Sequence, residues 1–108
     1  MTNWSILLVD DEEIIRQSYC KSLRHKGYTV TTADNGEDAI AKINSADFDL
    51  IITDLVMPGK GGLDVLDAAK DKAPNNAVII LTGYSEMSSA LESLRLGVDD
   101  YLDRKSVV

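Results

Sequence analysis

The sequence predicts an α/β fold built on a doubly wound parallel sheet. Short apolar runs alternate along the chain with amphipathic helical patterns, and the connections between them are short. Three runs, at 6–9, 49–53 and 77–82, are almost continuously apolar, as expected of central strands covered on both faces. A chain of 108 residues has room for one such domain.

Five strands are predicted, and two of them have the character of sheet edges. The run YTVTTA alternates between polar and apolar residues, and VDDYL is short and charged. The predicted strands span 6–9, 28–33, 49–53, 77–82 and 98–102.

Four amphipathic helices are predicted between the strands. In the first, Ile15, Tyr19 and Leu23 recur at four-residue spacing; in the third, the apolar stripe is predicted to include Leu63. The predicted helices span about 13–26, 36–45, 62–72 and 86–96.

Composition excludes several classes of partner. The net charge is −7 and the 11 basic residues do not cluster, which disfavours a nucleic-acid-binding surface in this segment. The amino terminus has neither the basic region of a signal peptide nor the length of a membrane span. The single cysteine, Cys20, cannot form an internal disulfide, so we expect a cytoplasmic domain.

Carboxylates follow two of the buried strands. Asp10 and Asp11 come after the first strand, and Asp54 comes after the third. If these strands are neighbours, the carboxylates converge, because ligands in such sheets lie beyond the carboxyl ends of the strands. Carboxylates about 4 Å apart repel by roughly 4 kcal/mol at an effective dielectric near 20. The two segments carry no lysine or arginine, so the pattern favours a Mg²⁺ site.

Simpler interpretations exist for these acidic residues. Glu12 and Glu13 fit the acidic first turn of a helix, where the helix dipole favours them. An aspartate such as Asp54 can also begin a turn. A metal-neutralised carboxylate, by contrast, can act as a nucleophile toward a phosphoryl group, with Asp54 as nucleophile and Asp10 and Asp11 as ligands.

Four motifs in order make the sequence resemble a receiver domain of two-component response regulators: ILLVDDE, TDLVMPGKGG, ILTGYS and GVDDYL. The resemblance runs nearly from end to end. It implies the flavodoxin-like strand order 2-1-3-4-5. It also implies a phosphorelay role, in which the chain catalyses only its own phosphorylation and dephosphorylation and is not an enzyme with turnover.

The resemblance assigns roles to individual residues. Asp54 would accept a phosphoryl group from a sensor histidine kinase or phosphotransfer domain. Mg²⁺ would be held by Asp10, Asp11, Asp54 and the backbone carbonyl of Val56. The hydroxyl of Thr82 would reach the phosphoryl oxygens.

Further roles and departures fall at the end of the chain. Tyr101 would be the aromatic switch that responds to Thr82. Arg104 stands where the family has a lysine, with Lys105 in the slot of the following proline. We favour Arg104 as the phosphate-facing cation, although a register shift would bring in Lys105.

The chain stops at Val108, where the family continues into a fifth helix. We therefore expect a receiver domain over 1–108, truncated after strand 5 and without that helix. Its absence would bare apolar strand residues on the face of the first helix. Either the protein continues beyond this sequence or another chain covers that face, and on this basis self-association through it, as a homodimer or higher, is predicted.

The sequence leaves two other functions as alternatives. One is a receiver-like docking module that does not use phosphorylation. The other is a Mg²⁺-dependent phosphohydrolase, which needs a second aspartate two residues after the nucleophile, where this chain has Val56.

Overall fold

The computed structural model of the chain describes residues 4–74 and 77–81, which form a parallel sheet flanked by helices. The strand order is β2-β1-β3-β4, as predicted for these four strands. The elements are β1 (Ser5–Val9), α1 (Glu13–His25), β2 (Thr29–Ala33), α2 (Gly36–Ser45), β3 (Leu50–Asp54), α3 (Gly62–Lys72) and β4 (Ala77–Leu81). The predicted strand at 98–102 and the predicted helix at 86–96 lie outside the described residues, and so does the region to which the prediction about a fifth helix applies.

Two apolar cores lie on opposite faces of the sheet. Along each strand, successive side chains alternate between the faces. Leu7 and Ile51 pack with residues of α2 and α3, whereas Leu8 and Ile52 pack with Tyr19 and other residues of α1. The four strand side chains are fully buried. The central strands are therefore covered on both sides, which explains their continuous apolar runs.

The helix ends follow local signals in the sequence. Asn35 precedes α2, and its side chain accepts a 2.7 Å hydrogen bond from the N–H of Asp38, as an N-cap does. After α1 the backbone reverses at Gly27, whose φ of 100° is suited to glycine.

The predicted apolar stripe of α3 was wrong at Leu63, which is 59% exposed. The inward face instead runs through Gly62, Val65 and Ala69, all buried. The spacing i, i+3, i+7 also fits one helix face. The helix turns this face inward because the small Gly62 allows its first turn to approach the end of β3 closely.

Strand β2 forms one edge of the described sheet, and two cations cover its outer side. The Thr29 N–H donates to the Trp4 carbonyl, and the Ala33 carbonyl accepts from the Asp10 N–H, so the backbone polar groups of Thr29 and Ala33 point toward β1. The backbone groups of the alternate residues, Val30 and Thr32, therefore point away from the sheet. Arg24 Nη2 of α1 donates to the Val30 carbonyl at 2.7 Å. From α2, Lys42 Nζ donates to the Thr32 carbonyl at 2.5 Å.

The expected bare apolar face is not present on the described strands. On the side covered by α1, Leu50 and Ile52 are fully buried and Ile79 is 6% exposed. Side chains of α1, including Tyr19 and Leu23, belong to the same buried cluster. The predicted self-association therefore has no support from an exposed patch here and stays a prediction.

Among residues 4–74 and 77–81, none of the helices combines the length and the apolar character that crossing a membrane would require.

Candidate functional site

Three aspartates meet where β1 and β3 end. Strand register places Val9 beside Thr53, so Asp10 and Asp54 follow at adjacent positions. Asp11 comes next along the chain after Asp10. One carboxylate oxygen from each of the three aspartates lies within 4.8 Å of the other two. Adjacent parallel strands thus produce the convergence that the sequence predicted.

Asp10 is the most enclosed of the three. Only 5% of its surface is exposed, and its Oδ1 accepts a 2.9 Å hydrogen bond from the N–H of Glu12. Its own N–H donates to the Ala33 carbonyl at 3.2 Å. These contacts fix the carboxylate at the strand end before any ligand arrives. They also explain how α1 begins at Glu13 without a side-chain cap from Glu12.

Arg16 is a residue of this site that the sequence argument missed. Its Nη1 donates to the Asp10 carbonyl at 2.8 Å. The signal was available, because a helix beginning near residue 13 returns Arg16 toward the strand end after one turn. The two acidic segments contain no cation, and Arg16 lies just beyond the first of them.

Burial and mutual repulsion disfavour the charged forms of two carboxylates. Burial is the largest cause that raises the pKa of Asp10; Asp11 adds to it, while the Glu12 N–H and Arg16 oppose it. The pKa of Asp54 is also raised, first by burial and then by the charges of Asp10 and Asp11. The local excess of negative charge is what a divalent cation would offset.

The loop after β3 is held by close glycine contacts. A Cβ placed on Gly62 would lie 2.6 Å from the backbone oxygen of Asp54, and the Gly62 N–H donates to the Leu55 carbonyl at 2.9 Å. Gly59 has a φ of 75°, as expected for the turn after proline. Within this loop Met57 is buried in the core, whereas the Val56 side chain is 77% exposed. The loop is therefore anchored on both sides of Val56.

The donor set fits Mg²⁺. Three carboxylates offer hard oxygen ligands, and the exposed Asp11 and partly exposed Asp54 leave the cluster open to water. The ligand roles of Asp10, Asp11, Asp54 and the Val56 carbonyl stay predictions. Three further predicted residues lie outside the described residues: Thr82, Tyr101 and Arg104.

Comparison with known proteins connects this site to a family. The response regulator receiver domain family matches residues 6–107. The transcriptional regulatory protein ResD of Bacillus subtilis is 38% identical over 97 residues, covering 90% of this chain and 40% of ResD. The DNA-binding transcriptional regulator NtrC of Salmonella typhimurium is 34% identical over 99 residues, covering 92% of this chain and 21% of NtrC. The chain therefore spans less than half the length of these curated relatives.

Solved structures of response regulators resemble this chain in fold and sequence. The response regulator TrrA of Thermotoga maritima, in complex with Mg²⁺-BeF, superimposes with a TM-score of 0.71 at 42% identity, covering 84% of this chain and 79% of TrrA. TrrA in complex with the histidine kinase ThkA matches with a TM-score of 0.69 at 42% identity, covering 75% of this chain and 70% of its own. Because the family matches nearly the whole length of this chain, the chain belongs to the response regulator receiver domains of two-component systems.

Proposed function

We propose that the chain is a phosphorylatable signalling switch with Asp54 as the phosphoacceptor. The observation that carries the proposal is the meeting of three carboxylates at one sheet edge, with Asp54 as the last residue of a buried strand. A strand held on both sides aims its terminal side chain with little freedom. Phosphoryl transfer depends mainly on positioning and charge stabilisation, so such an edge suits it.

In the proposed reaction, a carboxylate oxygen of Asp54 attacks the phosphorus of a phosphohistidine. The new bond is an acyl phosphate, and the phosphorus–nitrogen bond breaks with its electron pair left on the imidazole. Asp10, Asp11 and the Val56 carbonyl would hold Mg²⁺ beside Asp54. The bound cation would supply the positive charge that offsets the incoming phosphoryl group and keeps Asp54 ionised despite its raised pKa.

The proposed partner is a sensor histidine kinase or a phosphotransfer domain. The complex of TrrA with ThkA supports this choice, because TrrA shares 42% identity with the matched residues. Nucleic-acid contact is not proposed for this segment, whose net charge is −7. The longer relatives are transcriptional regulators, so any output would belong to regions that this segment does not match in them.

Finer assignments belong to the same proposal. Thr82 would contact the phosphoryl oxygens, Arg104 would supply the phosphate-facing cation, and Tyr101 would report the phosphorylated state by moving inward. Cytoplasmic location, expected from the single cysteine, is proposed with them. The chain would catalyse only its own phosphorylation and dephosphorylation.

The test is to incubate the chain with Mg²⁺ and acetyl phosphate and to measure its intact mass. We expect a gain of one phosphoryl group in the native chain and in Asp67→Asn, which removes an exposed carboxylate outside the cluster. Asp54→Asn should show no gain. If neither the native chain nor the two variants gains mass although all three are folded, the proposal fails. The better interpretation is then a docking module that does not use phosphorylation. A gain in Asp54→Asn would show another acceptor.

A further inference from the structure

A cleft of about 420 Å³ lies between α1 and the edge strand β2. It shares Arg16 with the acidic site, and its other lining residues have no role in the proposed phosphorylation. We call it the α1–β2 cleft. Its volume falls within the range of small-molecule sites. The lining residues are Arg16, Gln17, Cys20, Lys21, Arg24 and Thr32.

The charge of the α1–β2 cleft opposes that of the chain. The chain carries a net charge of −7, yet three of the six lining residues are cations and none is an acid. Among the described residues, no carboxylate lies within 4.0 Å of the charged groups of Arg16, Lys21 or Arg24, whereas Lys42 and Lys72 both have one. Two acids outside the lining act on it: Glu13 accepts a 3.0 Å hydrogen bond from Gln17 Nε2, and the Asp10 carboxylate interacts electrostatically with Arg16.

The two arginines are oriented by the backbone. Arg16 Nη1 donates to the Asp10 carbonyl at 2.8 Å, and Arg24 Nη2 donates to the Val30 carbonyl at 2.7 Å. A guanidinium has five donors, so each retains N–H groups for a ligand and has already lost part of its rotamer freedom. Eight residues of helix separate them by roughly 12 Å along its axis, and Lys21 lies between them.

We propose that the α1–β2 cleft binds the oligophosphate group of a small anion. Planar guanidinium forks suit phosphate oxygens, and the lysine adds a mobile point charge between them. A single phosphate is too short to reach both arginines, whereas a chain of phosphates extends along α1. The site does not depend on phosphorylation of Asp54.

The experiment is isothermal titration calorimetry of the chain with inorganic tripolyphosphate, in metal-free buffer at low ionic strength. Lys21→Gln is compared with Lys26→Gln, which removes the same charge at the exposed position that follows α1, outside the lining. We expect one-to-one saturable binding, weakened at least about fivefold in Lys21→Gln and largely retained in Lys26→Gln. Lys21→Arg, which keeps the charge, should retain binding.

Backbone amide shifts locate the ligand. Perturbations centred on residues 16–24 and Thr32 support the proposal, and perturbations centred on Asp54 overturn it. Absence of saturable binding, or equal weakening in the Lys21→Gln and Lys26→Gln variants, also overturns it, the latter because the attraction would then be unspecific. Titration with ATP distinguishes the sources: tighter binding than tripolyphosphate identifies a nucleotide, and equal binding identifies the phosphate chain alone.

Discussion

Gly62 packs directly against the backbone of Asp54, with room for a hydrogen atom and nothing larger. A Cβ at this position would lie 2.6 Å from the Asp54 backbone oxygen and 3.0 Å from Leu55 Cα. Both neighbours are main-chain atoms, which cannot rotate aside as the end of a side chain can. The first turn of α3 therefore sets the position of the residue that we propose as phosphoacceptor.

Replacing Gly62 with alanine should displace Asp54 and impair the site. We expect a stability loss of about 1–3 kcal/mol from overpacking. Mg²⁺ affinity and the rate of labelling by acetyl phosphate should fall by about tenfold or more, because small displacements are costly at reacting groups. Calorimetric Mg²⁺ titration and timed intact-mass spectra measure the two effects.

Gly36→Ala is the matched control for this substitution. Its Cβ would overlap the backbone of Lys60, at the far end of the same loop. We expect comparable destabilisation with Mg²⁺ affinity nearly unchanged. Equal loss of affinity in both variants would mean that Gly62 acts only through general stability. Gly61→Ala, whose Cβ would lie 2.9 Å from the Leu55 carbonyl oxygen, provides a milder displacement if Gly62→Ala does not fold.

Without metal, the acidic cluster should make the chain less stable as pH rises. The pKa of Asp54 is raised above the ordinary value of 3.8, so the folded state keeps its proton to higher pH than the unfolded chain. Between those two pKa values the folded state binds more protons, and its free energy of unfolding therefore falls as pH increases. Below pH 3.8 this loss of unfolding free energy is absent, because both states are protonated. Above the raised pKa the loss is complete, because both states are ionised.

Asp54→Asn removes that titration, so the variant should be more stable than the native chain at pH 7. After solvent screening we expect a gain on the order of 1 kcal/mol, shrinking toward zero near pH 3.5. Urea unfolding at a series of pH values measures it, with Asp67→Asn as the exposed comparison. A difference between Asp54→Asn and native chain that does not change with pH would contradict this account.

Mg²⁺ should stabilise the native chain by an amount that grows with the logarithm of the free Mg²⁺ concentration above the Kd. Binding to the folded state alone adds about 1.4 kcal/mol when the free ion is at ten times its Kd. Thermal unfolding with and without Mg²⁺ should show the increase in the native chain and lose most of it in Asp10→Asn. An undiminished increase in Asp10→Asn would remove this residue from the ligand set.

The N-cap of α2 should contribute independently of the site. Asn35→Ala leaves the N–H of Asp38 without its 2.7 Å partner, at an expected cost of about 1 kcal/mol in the free energy of unfolding. Asn44→Ala, in the same helix but exposed and away from the cap, should be neutral or slightly stabilising. Urea denaturation of both variants provides the comparison, and equal effects would contradict a capping role.

Much of this architecture could be predicted because each signal is local. Apolar runs and turn residues located all seven described elements to within one residue at each end. The convergence of Asp10 with Asp54 was predicted on the condition that strands 1 and 3 are neighbours, and that strand order came from the family resemblance. What escaped prediction depends on contacts between elements. Arg16 reaches the Asp10 carbonyl only through the docking of α1, and Leu63 was misplaced because the inward face of α3 depends on how closely Gly62 approaches β3.

The cations at the rim of β2 have a consequence for how the sheet terminates. An outward-facing carbonyl on an edge strand is an open acceptor, and a strand from another molecule can extend the sheet through it. Here Arg24 and Lys42, reaching from helices on opposite faces, already occupy the outward carbonyls of Val30 and Thr32. An incoming strand would have to strip both cations from their oxygens before it could pair. Two side chains of the flanking helices thus block the addition of further strands at the β2 edge, and with it polymerisation through this edge.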